Sequence, residues 1–194
     1  MQNNTNNQKL SNKKIAILVA DGFEEVQLKE PMKMIEVSDG DAFIVSLQES
    51  VVKGWDQNEW SQEFPVDVPI SRAMAESFDA LLVPGGVLSV EKLRHDKKAV
   101  QFVRSFFKAK KPIAAIAHAP WMLIEAGAVK GRKLTSIESI QTDLKNAGAQ
   151  WLNQEVVVDR GIVTSRKQSD LLVFSREMAK EFAKGIPEPE IVMV

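Results

Sequence analysis

Cysteine is absent from all 194 residues, and with it go disulfides, thiolate nucleophiles and thiolate metal sites. Histidine occurs only twice, at His95 and His118, too few for a histidine-rich metal centre. No metal and no cofactor is therefore expected. Charge of either sign is not in excess: Lys+Arg 25 against Asp+Glu 26 leaves a formal charge of -1. No run of five or six like charges occurs, so neither nucleic acid nor an anionic membrane is an expected partner. The opening stretch has no apolar run long enough for a signal peptide or a membrane span.

What remains is an ordinary globular composition, 44% hydrophobic and 26% charged. A chain of this length suggests one domain and can bury ~70% of its unfolded surface without a covalent staple. Residues 1–13 are polar and Asn-rich and read as a disordered leader on a cytoplasmic protein. The domain is expected over 14–185. The tail 186–194 (IPEPEIVMV) carries two prolines and is expected to be disordered, docking on a neighbouring subunit being the alternative.

Between these ends, short apolar runs alternate with amphipathic stretches, the pattern of βαβ units around a parallel sheet. Ile15 to Ala20, Ala42 to Leu47, Phe78 to Val83 and Pro112 to Ala117 read as buried strands. Phe23 to Val37 reads as a helix with an irregularity at Pro31. Further helices are expected over Lys97 to Lys110, Pro120 to about Gly127, Ile140 to Ala147 and Asp170 to Ala183. Short strands are expected around Leu134 to Ser136, Glu155 to Asp159 and Ile162 to Thr164. From Glu49 to Pro69 the pattern suggests a β excursion with loops.

One segment stands out for chemistry. Lys111 to Leu123 (KPIAAIAHAPWML) runs an apolar strand straight into His118-Ala119-Pro120, and Pro120 suits the first turn of a helix. Such a strand-to-helix turn lifts one side chain at the carboxyl edge of the sheet, where open α/β folds bind ligands. A helix start also favours an anion, so a thiol there would ionise readily. The residue at the turn is Ala117. About thirty residues earlier, Pro84-Gly85-Gly86 ends another strand, and its glycines let backbone amides approach a reacting group. The Gly86 and His118 amides together would make an oxyanion hole.

These blocks resemble the ThiJ/PfpI family, whose members include intracellular proteases, general stress proteins and deglycases. The resemblance runs from Lys14 to about Phe182. It rests on Asp21-Gly22-Phe23-Glu24-Glu25, the Phe78 to Gly86 block, Gly131 to Ser136, Asp143 to Ala149, Glu155 to Asp159 and Val163 to Arg166. It implies a flavodoxin-like three-layer sandwich of the class I glutamine-amidotransferase type, assembled as a homodimer or larger homo-oligomer around a small-molecule pocket. The family's elbow reads Ala-Ile-Cys-His, whereas this chain reads Ala115-Ile116-Ala117-His118. The family also places an acid near the thiol at a position that is here Gln27, while Glu24 is kept. Glu91 stands one residue away from an acid that the protease branch lends across subunits.

Two readings of Ala117 follow. A catalytically silent, stress-associated homologue would have lost covalent chemistry naturally. An engineered replacement would conceal a cysteine-dependent glyoxalase, deglycase or peptidase with a thiohemiacetal or thioester intermediate. An engineered knockout changes one position, so Gln27 together with the lack of any cysteine favours natural loss. In that case His118 is a leftover that braces the elbow. A water-activating or metal-assisted hydrolase built on Glu24 and His118 is disfavoured, since no metal-ligand spacing accompanies them. Trp55, Trp60 and Trp121 read as packing, and Arg166 as structural.

Overall fold

The first apolar run forms β1 (Lys14–Val19), whose residues from Ile15 onward are all buried, as required of a strand covered on both faces. The computed structural model describes residues 9–185. Residues 1–8 of the expected leader and the tail 186–194 lie outside the described residues. Leu10, also assigned to that leader, is fully buried in the core, and its N–H donates to Ser38 O at 2.6 Å.

After β1 come β2 (Phe23–Glu24), α1 (Glu25–Val37), β3 (Asp41–Ser46), β4 (Val51–Asp56), β5 (Glu59–Pro65) and β6 (Val68–Pro69). They are followed by β7 (Ala80–Val83), α2 (Val87–His95), α3 (Lys97–Lys108), β8 (Ile113–Ile116) and α4 (Pro120–Glu125). The chain closes with β9 (Lys133–Leu134), α5 (Gln141–Asn146), β10 (Gln150–Trp151), β11 (Val156–Asp159), β12 (Ile162–Ser165) and α6 (Leu171–Lys184).

The central sheet has seven strands in the order β11-β12-β8-β7-β1-β3-β6. Every neighbouring pair is parallel except β11 with β12. The Glu49 to Pro69 excursion is real: β4 and β5 form an antiparallel pair, extended by β2, outside the main sheet.

Two apolar clusters cover the faces of the sheet. On one side lie Val90 and Leu93 of α2, Phe102 and Phe106 of α3, Met122 and Leu123 of α4 and Leu144 of α5. On the other lie Leu28 and Ile35 of α1 with Phe174, Met178 and Phe182 of α6. The last three recur every four residues, so one helical stripe is buried, each side chain contributing ~1.5–3 kcal/mol. Helices, sheet and helices make the expected three-layer α/β sandwich of flavodoxin-like, class I glutamine-amidotransferase type.

Sequence periodicity did not anticipate α2. Its first two residues, Val87 and Leu88, are 48% and 42% exposed, and among its apolar residues only Val90 and Leu93 are buried, so no apolar stripe advertises it. The helix expected from Phe23 begins two residues later, because Phe23 and Glu24 pair with Gly54 and Trp55 as a strand.

Candidate functional site

The parallel order places the carboxyl ends of β7 and β8 side by side, and the two chain reversals that follow them meet. Immediately after β8, Ala117 takes φ +58, a left-handed conformation that costs a residue with a Cβ about 1–2 kcal/mol. Neighbours hold it there from both sides. The Ala117 N–H donates to Ser165 O at 3.0 Å, and Ala117 O accepts from the Ile137 N–H at 3.1 Å. Ala119 N–H turns back onto Ile116 O, and Pro120 opens α4. The strand-turn-helix elbow is present. Since α4 has six residues, only a short stack of peptide dipoles stands behind the turn.

The reversal after β7 supplies the facing wall. Gly86 has φ +105, and a Cβ there would stand 2.5 Å from Gly22 O and 2.8 Å from Glu24 N, so only glycine fits. A Cβ on Gly85 would meet Gln27 Oε1 at 2.5 Å and the Ala117 Cβ at 2.9 Å. The Gln27 amide and the Ala117 methyl therefore converge on one point beside Gly85. Gly85 N–H donates to Gln27 Oε1 at 2.9 Å, and Glu24 N–H donates to Gly85 O at 3.1 Å. Gln27, Glu24, Gly86 and Ala117 are thus tied to one another through Gly85, whose own role the sequence reading missed. The repeated glycine was the available signal, but it does not say which residue of the pair makes the close approach.

Among the described residues, the Gly86 and His118 amide hydrogens have no acceptor. The chain therefore retains two free donors beside the turn, as an oxyanion site needs. His118 follows Ala117 directly. Its ring lies 5.5 Å from that of Trp121, tilted by 45°, and the Arg94 guanidinium carbon stands 5.0 Å from the Trp121 ring. Trp121 Nε1 donates to Asp143 at 2.8 Å, so the indole is an anchored brace for the imidazole. Burial holds the His118 pKa below its usual 6.5, which favours neutral imidazole. Burial, and then the negative charge of Asp56, pushes the Glu24 carboxyl above 4.5. Burial therefore disfavours the charged form of both groups.

Glu91 sits elsewhere: it is exposed on α2, with its carboxylate 3.8 Å from Arg94. Trp55 and Trp60 pack edge-to-face across the β4–β5 hairpin. Arg166 is held by Asp170 through Nε at 2.9 Å and Nη2 at 3.2 Å, a structural clamp. Ile137, bonded to Ala117 O, also borders a cavity of about 280 Å³ with Ser136, Trp151, Asn153 and Arg166. Among the described residues no cluster of three His, Cys, Asp or Glu side chains is arranged to hold a metal, and no helix is long and apolar enough to cross a membrane.

Chemically, the elbow offers backbone donors, a neutral imidazole and a carboxyl group, but at its apex only a methyl, which cannot attack a carbonyl. Residues 13–181 match the family model described as DJ-1/PfpI family. The chain belongs to the DJ-1/PfpI family.

Relatives within the DJ-1/PfpI family agree over nearly their whole length. The chain is 40% identical to Deglycase TK1284 of Thermococcus kodakarensis, over 86% of this chain and 98% of that protein. It is also 40% identical to General stress protein 18 of Bacillus subtilis, over 85% of this chain and 95% of that one. Among solved structures, a two-domain protein from Anabaena variabilis with DJ-1/ThiJ/PfpI-like and ferritin-like domains superimposes with a TM-score of 0.83 at 27% identity. That match covers 94% of this chain and 52% of the larger one.

Proposed function

We propose that this DJ-1/PfpI protein is silent for cysteine chemistry and uses the elbow to hold a small carbonyl- or carboxylate-bearing molecule without covalent attachment. The observation that carries this reading is Ala117 at the apex of a retained elbow, flanked by the unpaired Gly86 and His118 amides. A donor without a protein acceptor is free to bond a ligand oxygen, so an oxygen placed there is stabilised even where no covalent bond to the protein can form. A stress-associated role follows the name of the Bacillus subtilis relative.

The same proposal includes a cytoplasmic homodimer or larger homo-oligomer. Exposed Val87 and Leu88 on α2, with exposed Trp60 on the neighbouring hairpin, support it. Glu91 lies on that same exposed helix, where a subunit contact would reach it.

Titration of the chain with methylglyoxal and with lactate, followed by backbone NMR and intact mass, tests the ligand reading. Shifts at the Gly86 and His118 amides with no gain in mass support it. Saturating ligand with neither amide perturbed, or a covalent adduct traced to the elbow, contradicts it.

A second reading is favoured by the left-handed geometry that Ala117 keeps, since a methyl-bearing residue gains nothing from that strain. On this view Ala117 replaces a cysteine, and the parent protein is a cysteine-dependent deglycase, glyoxalase or peptidase. The source gene's codon at position 117 separates the two.

A further inference from the structure

The charges of α3 and the segment that follows it are all of one sign. Residues 97–111 carry Lys97, Lys98, Arg104, Lys108, Lys110 and Lys111 and no acid, in a chain whose formal charge is -1. Lys111 is used internally: its Nζ donates to Ala75 O at 2.9 Å and to Phe78 O at 2.6 Å. The other cations of this stretch form no ion pair among the described residues. Nearby acids are engaged elsewhere. Glu91 and Glu125 face Arg94 at 3.8 and 2.6 Å, and the Asp96 side chain caps α3 by accepting the Ala99 N–H.

Lys97, Gln101, Arg104 and Lys108 recur at steps of four, three and four residues, so they lie in one stripe along the helix. The stripe is about 16 Å long at 1.5 Å per residue. Lys97, Gln101 and Lys108 are exposed and Arg104 half-buried, while Ala99, Phe102, Val103 and Phe106 on the opposite face are buried. Alongside runs a recess of about 370 Å³, lined by apolar Ile70, Ala73, Met74 and Phe102 together with Lys97 and Lys98. Met74 is 63% exposed. Glu76 also lines the recess, so the cationic end is the one that Lys97 and Lys98 form.

The surroundings select among polyanions. Nucleic acid strands bind where aromatic faces are offered for stacking, but Phe102 and Phe106 are buried and the Arg132 guanidinium covers Phe107 at 5.3 Å. A helix that lies on a membrane inserts large apolar side chains, and α3 exposes none. An extended peptide fits better: five or six residues at ~3.3 Å each match the stripe, and the recess accepts an apolar side chain between the carboxylates.

We propose that α3 docks an acidic segment of a partner protein, its carboxylates facing Lys97, Lys98, Arg104 and Lys108 and one apolar side chain entering the recess at Met74. The surface includes none of the elbow residues, so it stands or falls apart from the role assigned to Ala117.

A fluorescein-labelled acidic hexapeptide with a central leucine, EDELED, serves as the probe for the full chain, read by anisotropy and backbone NMR. Binding is expected with a Kd of ~0.1 mM at low salt, about fivefold or more weaker at ~0.5 M salt, with shifts along α3 and at Met74. Lys97→Gln with Lys108→Gln should weaken it about tenfold. Lys33→Gln with Lys167→Gln changes the net charge equally on other surfaces and should leave it unchanged. Met74→Ser, or serine in place of the peptide leucine, should each weaken it about threefold. Equal loss in both lysine pairs, no loss in the α3 pair, or no saturation by ~5 mM peptide would overturn the proposal. So would tighter binding of an oligothymidylate of equal charge or of phosphatidylserine vesicles, or α3 shifts that appear only on raising the protein concentration, since a second copy would then be the occupant.

Discussion

Gln27 Oε1 accepts the Gly85 N–H at 2.9 Å, at the point where any side chain on Gly85 would strike the Ala117 methyl. Gln27 is therefore not idle. At 5% exposure it satisfies a backbone donor that no water could easily reach, and it joins α1 to the turn after β7. The Gln27 amide and the Ala117 methyl thus occupy one small volume.

Removing that acceptor should show in stability. Gln27→Leu leaves the Gly85 N–H buried and unpaired, and is expected to cost about 1–3 kcal/mol in urea unfolding. Gln27→Glu retains an acceptor and should cost less. Equal stability of the leucine variant and the parent would show that the bond contributes nothing.

Gly86 should tolerate no side chain. Alanine there meets Gly22 O at 2.5 Å and Glu24 N at 2.8 Å, backbone atoms that cannot rotate aside. With the strain of φ +105 added, Gly86→Ala is expected to destabilise by about 3 kcal/mol or more. A melting temperature within a few degrees of the parent would contradict the close approach.

The two perturbed groups should give stability opposite pH dependences. The Glu24 pKa is raised on folding, so its contribution is present below 4.5 and is lost as pH rises through the raised value. The His118 pKa is lowered, so its contribution is present above 6.5 and is lost as pH falls through the depressed value. Urea unfolding at a series of pH values should show Glu24→Gln removing a decline on the rising side of 4.5. His118→Gln should remove a decline below 6.5. Parallel profiles for parent and variants would show that neither group is perturbed.

A thiol placed at the turn reads its electrostatics. In Ala117→Cys the sulfur joins a turn where the Gly86 and His118 amides are unpaired, and donors facing it would stabilise a thiolate. Its pKa should fall below the ~8.5 of a free cysteine. Iodoacetamide alkylation against pH measures this, and a value at or above that reference would show that the donors do not face the apex.

Much of this arrangement was legible in the sequence because its signals are local. The apolar run ending at Ile116, then His118 and Pro120, announces a strand entering a helix, and Pro84-Gly85-Gly86 announces a backbone reversal. What could not be read depends on the tertiary fold. The Gly85–Gln27 bond joins residues 58 apart, and no spacing rule links them. Leu10 belongs to the core although its neighbours are polar and Asn-rich, because one apolar side chain gives no periodicity. The helix α2 was hidden for a related reason: exposed Val87 and Leu88 blur the contrast between its faces.

On the reading proposed above, the elbow keeps its backbone donors, His118 and Glu24 and carries no nucleophile at its apex. Deglycase and glyoxalase turnover of the chain and of Ala117→Cys, measured side by side with methylglyoxal and a methylglyoxal-treated peptide, tests it most directly. No turnover is expected from the chain carrying Ala117, and measurable turnover from the cysteine variant. Turnover by the Ala117 protein that disappears in His118→Gln or Glu24→Gln would contradict it.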